Sequence, residues 1–290
     1  MEIGDWNATR GFNELYRKLR QHGSEPRIAE LEAFGFTVVP DVLDAEAVAR
    51  LRHLMVELAE AELGVTVDRA RGVSVEGGER VSLWYPLLLA RYPEFCELAA
   101  NPVVLAIVRY LLGLRCTVSA VTAFIKGPHG SSREIHCDDE SPDPLPRYAQ
   151  VTNVHWLMSD HSEADGTLTM VPGSHRLCRS PGPAEAQEDL VPVEARAGSV
   201  IIFHGNTWHG SCPRRNPGLR LAVATYFNRG MYRWQYEAYR EILAPEVLDR
   251  FGPEFRKVLG YDVPWYWHER ADRDDDKVAS FTATKHLQHM

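Results

Sequence analysis

The sequence predicts a mainly β protein whose core of short strands is flanked by helices towards both ends of the chain. After Arg115 the chain consists of short segments rich in Val, Ile, Thr and aromatic residues, which are the residue types that favour strands. Turns of Gly, Pro, Asp or Ser separate these segments, and this spacing is typical of a sandwich or a barrel rather than of alternating strands and helices. Before Arg115 the apolar residues recur with helical spacing.

The N-terminal part contains one predicted strand and two predicted helical regions. Phe36 to Val39 is a short apolar strand. Asp44 is a suitable N-cap for a helix from Ala45 to Leu63, where apolar residues recur at helical intervals. Phe95 to Leu112 is a second helical region, and Asn101-Pro102 is expected to break it.

The β core is predicted to contain five main strands. They are Cys116 to Ile125, Val151 to Met158, Thr167 to Val171, Val200 to Phe203 and Leu221 to Phe227. A helical pattern returns over residues 232–260, and the tail from His268 is polar. We therefore expect one domain over residues 1–290, with a helical part at about 1–114, the β core at about 115–230, and a helical segment with a tail at about 231–290. The strand pattern alone leaves sandwich and barrel open.

Composition narrows the class of protein. Of the 290 residues 44% are hydrophobic, which is an ordinary value for a globular protein. The 32 Lys and Arg residues against 40 Asp and Glu residues give a net charge of −8. A net acidic chain argues against non-specific nucleic-acid binding and against attraction to an anionic membrane. We expect a small-molecule substrate, no nucleic-acid or membrane partner, and a monomer or a homodimer.

The sequence also predicts a cytoplasmic location. The first twenty residues are too polar for a signal peptide, and no apolar run reaches the length of a transmembrane helix. The five cysteines form no CxxC pair. An odd number of cysteines without an export signal indicates reduced thiols.

Spacing, rather than the number of histidines, points to a metal site. His136 and Asp138 are two residues apart, so on an extended segment both side chains point to the same face. His209 follows the predicted strand Val200 to Phe203 through a short turn, and a β core could bring it beside His136. Two histidines and one carboxylate form the facial triad of non-heme Fe(II) oxygenases. Zinc is the alternative metal, although no glutamate stands out as a general base.

Arg220 opens the predicted strand that follows His209. A guanidinium in this position can hold a carboxylate in a bidentate pair, such as the far carboxylate of 2-oxoglutarate. Ser211 could donate a second hydrogen bond to the same carboxylate. Arg214 and Arg215 lie in a polar turn rich in Pro and Asn, and we interpret them as surface arginines.

Together these pieces resemble the phytanoyl-CoA dioxygenase (PhyH-type) family of Fe(II)/2-oxoglutarate-dependent oxygenases. The matching segments are His136-Cys137-Asp138, Asp165 to His175 (DGTLTMVPGSH), Gly198 to Gly205 (GSVIIFHG), His209-Gly210-Ser211 and Arg220. The Gly-x-Leu-x-x-x-Pro-Gly-Ser-His segment is the most specific of them. The resemblance covers about residues 30–265 and implies a double-stranded β-helix (jelly-roll, cupin-like) core.

The resemblance also implies roles for individual residues. His136, Asp138 and His209 correspond to the iron ligands. Arg220 corresponds to the residue that binds the far carboxylate of 2-oxoglutarate, assisted by Ser211. Asn153 lies on the strand that faces the site in the family and is a further candidate for co-substrate contact. The implied cofactors are Fe(II), 2-oxoglutarate and O2, and ascorbate is expected to help in vitro. His204 is expected to be a strand-end residue and His175 a turn residue.

Several positions differ from the family pattern or remain open. Cys137 replaces a common glutamine, and His155 stands where tryptophan is frequent. Asp139 and Glu140 either bind a basic group of the substrate or cap a loop. Trp84-Tyr85 lies in a helix-poor stretch, Gly72 to Pro86, that could form a lid.

The implied function is hydroxylation, or another oxidation, of an unactivated C–H bond in a small organic molecule such as a secondary metabolite. Decarboxylation of 2-oxoglutarate to succinate accompanies it. Related halogenases lack the carboxylate ligand, so the presence of Asp138 argues against halogenation. Desaturation and ring formation remain open. The alternatives from other classes are a non-catalytic, cupin-like binding protein and a zinc-dependent hydrolase or isomerase that uses the same ligands.

Overall fold

The strands of the protein form two main antiparallel sheets. The computed structural model describes residues 10–183, 185–230, 243 and 245–260. The strands are β1 (Phe36–Val39), β2 (Val67–Asp68), β3 (Val73–Ser74), β4 (Ser82–Tyr85), β5 (Thr117–Lys126), β6 (Arg133–His136), β7 (Val151–Leu157), β8 (Leu168–Met170), β9 (Val191–Pro192), β10 (Val200–His204), β11 (His209–Ser211) and β12 (Arg220–Asn228).

Helices precede and follow the strand-rich region. They are α1 (Arg10–Gln21), α2 (Glu25–Phe34), α3 (Ala45–Leu63), α4 (Leu88–Arg91), α5 (Cys96–Ala99), α6 (Pro102–Leu112) and α7 (Pro245–Val258). The predicted cap of α3 is confirmed, because the Asp44 carboxylate accepts a hydrogen bond from the Ala47 N–H at 2.8 Å. The predicted break in the second helical region is also confirmed, since α5 and α6 are separated at Asn101, whose side chain caps α6.

The connectivity is that of a jelly roll. The large sheet has the order β1-β10-β7-β12-β5-β4, and the small sheet has the order β6-β11-β8-β9. From β5 to β12 the chain passes repeatedly between the two sheets, as in a double-stranded β-helix. The predicted fold class, a mainly β jelly-roll core with flanking helices, is therefore confirmed.

The two faces of the large sheet have different partners. Val154 and Trp156 on β7 belong to the main hydrophobic core, which includes the apolar residues of α3, α5 and α6. Successive side chains of a strand point to opposite faces, so Asn153 and His155 face the small sheet. Apolar residues of both sheets form a second cluster between them: Leu157, Leu168, Met170, Val193, Ile201 and Phe203. We call the space between the two sheets the interior.

All five predicted core strands are present, with ends shifted by a few residues at most. Six further strands, β2, β3, β4, β6, β9 and β11, were not predicted from the sequence. They are two to four residues long, and two of them are largely polar, Arg-Glu-Ile-His in β6 and His-Gly-Ser in β11. Such short segments carry too little alternation to be recognised.

The stretch Gly72 to Pro86, which could form a lid, contains β3 and β4. β4 pairs with β5 at the edge of the large sheet, and Trp84 lies opposite Phe124. Trp84 is 58% exposed. The helical pattern predicted at 232–260 is confirmed in α7, whereas residues 231–242, 244 and the polar tail lie outside the described residues.

Among the described residues no single helix is both long and apolar enough to cross a membrane, and only the bent pair Pro93–Ala99 and Pro102–Leu112 meets that criterion when taken together. The five cysteines are all free thiols, and Cys96 and Cys116 are buried.

Gly210 allows β11 to approach β6 closely. A Cβ atom at this position would lie 2.6 Å from the Arg133 carbonyl oxygen. We therefore expect Gly210→Ala to push the two strands apart and to lower the free energy of unfolding by roughly 1–3 kcal/mol, as overpacking does. Urea denaturation measures this change. Gly77→Ala is the control, because its Cβ would meet no atom closer than 3.5 Å; equal losses in both variants would contradict the prediction.

Candidate active site

The pairing of β6 with β11 brings His136 and His209 together. The two residues are direct cross-strand partners, and their ring centroids are 4.1 Å apart. Asp138 follows β6, and its Oδ1 lies 3.6 Å from His209 Nε2 and 3.8 Å from His136 Nε2. The structure thus brings His209, which is distant in the chain, beside His136 and Asp138.

Backbone and side-chain hydrogen bonds fix the Asp138 carboxylate. The Asp138 N–H donates to the Gly205 carbonyl at 2.9 Å, and the Tyr226 hydroxyl donates to the Asp138 carbonyl at 2.6 Å. The Asn153 side-chain N–H donates to Asp138 Oδ2 at 3.2 Å. Since Oδ2 is engaged, Oδ1 is the oxygen that faces the histidines. Asn153 therefore supports a candidate ligand, and its contact with the co-substrate stays a prediction.

Both histidines present a lone pair to the same point. His136 Nδ1 lies 2.9 Å from the Glu134 carbonyl, and His209 Nδ1 lies 3.0 Å from the Thr207 carbonyl. A carbonyl only accepts, so we assign the proton to Nδ1 and the lone pair to Nε2 in both rings. Burial and the neighbouring His209 lower the pKa of His136 to about 4, which keeps its ring neutral.

The resulting donor set fits a divalent cation. One ligand atom from each of the three residues lies within 4.8 Å of the others. All three atoms are acceptors, and His136 Nε2 is buried without a hydrogen-bond partner. Three converging lone pairs repel one another unless a cation lies between them. Two imidazole nitrogens and one carboxylate oxygen suit Fe(II), and they also suit zinc.

Arg220 is a buried cation at the start of β12. Its side chain is 5% exposed, and burial, together with Arg214, lowers its pKa to about 10. Within the described part of the chain its guanidinium makes no hydrogen bond or ion pair, and its Nε is sealed from solvent. An unpaired buried charge is costly, so this position is suited to an anionic ligand.

Lys126 increases the positive charge around Arg220. It is the cross-strand partner of Arg220 on β5, and its ammonium donates to the Ser131 carbonyl at 2.5 Å. Burial, and then Arg220, lower the pKa of Lys126 to about 8. Lys126 was not identified from the sequence. Its place directly after the predicted strand Cys116 to Ile125 was the indication that the sequence offered. The pairing with Arg220 depends on the register between β5 and β12, which the sequence does not show.

Ser211 lies on the same strand as His209, two residues further on. Its hydroxyl oxygen accepts a hydrogen bond from the Arg133 N–H at 3.1 Å. The hydroxyl proton remains available for another acceptor. The role of Ser211 at the co-substrate stays a prediction.

The interpretation of Arg214 as a surface residue is wrong. Its side chain is only 4% exposed and lies 3.2 Å from the Asp165 carboxylate, and it also donates to the Pro217 carbonyl. The polar turn folds back over Asp165 and buries the guanidinium. Arg215 is exposed as expected and pairs with Glu163.

The acidic residues after Asp138 have separate environments. Asp139 is buried, and its carboxylate accepts hydrogen bonds from the Gln150 side chain and the Ser141 N–H. This geometry supports the loop-capping alternative, whereas Glu140 is exposed. The Cys137 thiol lies 3.5 Å from the Asp139 carbonyl, away from the candidate ligands.

His204 is not part of the triad. Its Nδ1 accepts a hydrogen bond from the Asn206 N–H, and its ring centroid lies 5.5 Å from that of His175, with the two rings tilted. Both rings line a cavity of about 660 Å³ that is bounded by residues of α1, α2 and α6. This cavity contains neither the triad nor Arg220, so it is distinct from the site.

Asn153 is expected to tune the affinity for the metal. Asn153→Ala removes the hydrogen bond that holds Asp138 Oδ2, so Fe(II) affinity should fall roughly 10- to 100-fold, as for other residues that orient a ligand. Titration with Fe(II) under anaerobic conditions measures it. Asn216→Ala is the control, because Asn216 binds Asp165 instead. Unchanged affinity in Asn153→Ala would show that the hydrogen bond does not orient the ligand.

Comparison with known proteins gives a consistent set of relatives. Dioxygenase af480 of Aspergillus fumigatus is 29% identical over 245 residues, covering 80% of this chain and 75% of that protein. The ectoine dioxygenase of Bordetella parapertussis is 28% identical over 240 residues and covers 71% and 75% of the two chains.

Among solved structures, the epimerase SnoN in complex with Fe³⁺, alpha ketoglutarate and nogalamycin RO has a TM-score of 0.58 at 22% identity. The match covers 78% of this chain and 91% of SnoN. At this identity the likeness supports the jelly-roll fold. The family model for phytanoyl-CoA dioxygenase (PhyH) matches residues 31–222, which is more than half of the chain. The protein therefore belongs to the phytanoyl-CoA dioxygenase (PhyH) family.

Proposed function

We propose that the protein is an Fe(II)/2-oxoglutarate-dependent oxygenase that hydroxylates an unactivated C–H bond of a small organic molecule. In the overall reaction the substrate R–H, O2 and 2-oxoglutarate give R–OH, succinate and CO2. One observation carries the proposal: a buried, unpaired guanidinium, Arg220, faces the same interior as three converging acceptor atoms.

The alternation of side chains along β12 supports the view that Arg220 and the triad face the same interior. Arg220, Ala222, Ala224 and Tyr226 alternate along the strand and point to the same face. The Tyr226 hydroxyl touches Asp138, so this face is the one that the triad shares. The small side chains of Ala222 and Ala224 leave room between Arg220 and the triad for an extended dicarboxylate.

The residues of the site have separable tasks under this proposal. His136, Asp138 and His209 hold Fe(II), and Arg220 binds the distal carboxylate of 2-oxoglutarate, with Ser211 as a second donor. Fe(II) bound there supplies the activation of O2 coupled to oxidative decarboxylation of 2-oxoglutarate. Buried aromatic residues such as Phe203, which contacts His209 at 4.6 Å between ring centroids, exclude water from the interior.

Asp138 argues for hydroxylation rather than halogenation. If Asp138 binds the metal, its carboxylate would take the place that a halide would need, and the Asn153 side chain holds that carboxylate. Zinc would fit the triad, but a zinc hydrolase or isomerase would leave Arg220 without a partner. The net charge of −8 supports a small-molecule substrate rather than a nucleic acid.

Succinate formation tests the proposal. Purified protein with Fe(II), ascorbate, O2 and 2-oxoglutarate should release succinate, slowly without substrate and faster with a substrate from a small-molecule panel. The product of a true substrate should gain one oxygen atom, as mass spectrometry detects. A product of unchanged mass would exclude hydroxylation. The absence of succinate, together with the absence of 2-oxoglutarate binding, would exclude the oxygenase function.

A further inference from the structure

The cavity beside His204 and His175 lies on the opposite side of the large sheet from the triad, and we call it the outer cavity. Its volume is about 660 Å³, which lies within the range of small-molecule sites, about 300–1,000 Å³. On β10, Phe203 belongs to the cluster between the two sheets. Successive side chains of a strand point to opposite faces, so His204 points away from the interior. The outer cavity is therefore a place for a second molecule.

Apolar and aromatic side chains form much of the wall of the outer cavity. Those that line it are Leu15, Leu31, Leu111, Leu114, Ala149, Tyr110 and Tyr148. Ligand sites typically combine such a wall with a few placed polar groups. Leucine and tyrosine side chains pack well against rings, so the wall favours a ligand with a cyclic, apolar body.

The charged residues at the outer cavity are mostly basic. Four arginines and one glutamate line it: Arg109, Arg147, Arg176, Arg229 and Glu32. Arg109 is already paired with the Glu254 carboxylate at 2.7 Å. The Glu32 carboxylate accepts a hydrogen bond from the Tyr110 hydroxyl at 2.8 Å. The remaining charges at the cavity are therefore positive, although the whole chain has a net charge of −8.

Arg147 and Arg176 are the two cations that can bind a ligand. Within the described part of the chain neither guanidinium forms an ion pair, and Arg176 donates only to the Glu32 backbone carbonyl. Arg176 directly follows His175, whose ring lies 5.5 Å from that of His204, and the Arg147 carbonyl accepts from the His204 ring. Two guanidiniums on this part of the wall suit an anionic group, to which each can donate two hydrogen bonds.

The wall of the outer cavity is held in place by contacts within the protein. The Arg229 side chain donates to the Ala149 carbonyl and to the Leu111 carbonyl, at 3.0 Å in each case. It also lies 4.9 Å from the centre of the Tyr148 ring. These contacts fasten the segment with Arg147 and Tyr148 to the end of α6. A ligand would thus enter a formed site and would lose little affinity to ordering of the protein.

We propose that the outer cavity is a second ligand site, which binds a small organic anion with a ring. The ring lies among the leucine and tyrosine side chains, and Arg147 and Arg176 bind the anionic group. This site is separate from the triad and Arg220, so the inference does not rest on the proposed function.

The experiment compares two fluorescent probes that share an aromatic body. Protein is titrated with 8-anilinonaphthalene-1-sulfonate, which is an anion, and with N-phenyl-1-naphthylamine, which lacks the sulfonate. The increase in fluorescence gives each Kd. The test variants are Arg147→Gln, Arg176→Gln and the double variant, and both side chains are exposed, so folding should be preserved. Arg215→Gln is the matched control, because Arg215 is an exposed arginine that does not line the cavity.

The expected loss is selective for the anionic probe. The wild type should bind one sulfonate probe per chain, and each single variant should raise its Kd roughly 3- to 10-fold, as loss of a hydrogen bond to a charged group does. The double variant should lose more than either single variant. The Kd for the uncharged probe should stay the same in all of them, and Arg215→Gln should match the wild type.

Arg220→Leu shows whether the probe binds in the interior instead. It should leave the Kd for the sulfonate probe unchanged, and a loss as large as that of the double variant would overturn the inference. A wild type that does not bind the sulfonate probe, or a double variant with the wild-type Kd, would overturn it too. Equal losses for both probes, or an equal loss in Arg215→Gln, would show that Arg147 and Arg176 do not recognise the anion. The titrations contain neither Fe(II) nor 2-oxoglutarate, so each of these outcomes leaves the oxygenase function intact.

Discussion

Replacement of Arg220 by leucine is expected to weaken 2-oxoglutarate binding by at least roughly 30-fold and to stabilise the ligand-free protein. Truncation of one partner of a buried, hydrogen-bonded charge pair costs about 2–5 kcal/mol of binding free energy. Without a ligand the same guanidinium is a buried charge with no partner among the described residues. Its removal should therefore raise the melting temperature of the ligand-free protein. Succinate assays across 2-oxoglutarate concentrations and thermal unfolding measure both changes.

Arg215→Leu is the control for this prediction. Arg215 lies on the connection between β11 and β12, is exposed, and pairs with Glu163. It should change neither the 2-oxoglutarate requirement nor the melting temperature appreciably. An Arg220→Leu protein with normal 2-oxoglutarate affinity would show that the anion binds elsewhere.

Replacement of His209 by alanine should abolish both metal binding and succinate formation. His209 is buried, and its Nε2 faces Asp138 and His136. Two ligands hold a divalent ion much more weakly than three. In the wild type, Fe(II) at a hundredfold excess over its Kd should stabilise the fold by about 2.7 kcal/mol. The variant should show no such increase in melting temperature.

His204→Ala provides the comparison, because His204 is another buried histidine of the same region whose ring belongs to the separate cavity. It should lose stability through the void that it creates and should retain the metal-dependent increase. If His209→Ala kept that increase while His204→Ala lost it, the assignment of the ligands would be wrong.

The sequence was sufficient for the chemistry of the triad but not for its assembly. His136 and Asp138 share a face because they are two residues apart on an extended segment, and this is a local property. The approach of His209 depends on pairing between β6 and β11, and both strands are too short and polar to be recognised. The resemblance to the family identified His209 as the third candidate ligand. The structure shows that the pairing of β6 with β11 brings it beside His136.

Contacts between residues that are distant in the chain explain the remaining differences between the predicted and the observed structure. Arg214 lies in a polar turn, and only the tertiary contact with Asp165 shows that it is buried. Tyr226 lies on a predicted strand and Lys126 directly follows one, but their proximity to Asp138 and Arg220 follows from register. In contrast, the longer strands β5, β7, β10 and β12 contain enough β-branched and aromatic residues to be predicted from composition alone.

The central claim is that the triad and Arg220 form one centre that binds Fe(II) and 2-oxoglutarate together. Anaerobic titration of the Fe(II) protein with 2-oxoglutarate tests it most directly, because the visible charge-transfer absorption requires both to bind at the same place. We expect this absorption in the wild type with one 2-oxoglutarate per chain, none in His209→Ala, and a much higher ligand requirement in Arg220→Leu. A wild-type protein that binds Fe(II) but shows no absorption at saturating 2-oxoglutarate would contradict the account.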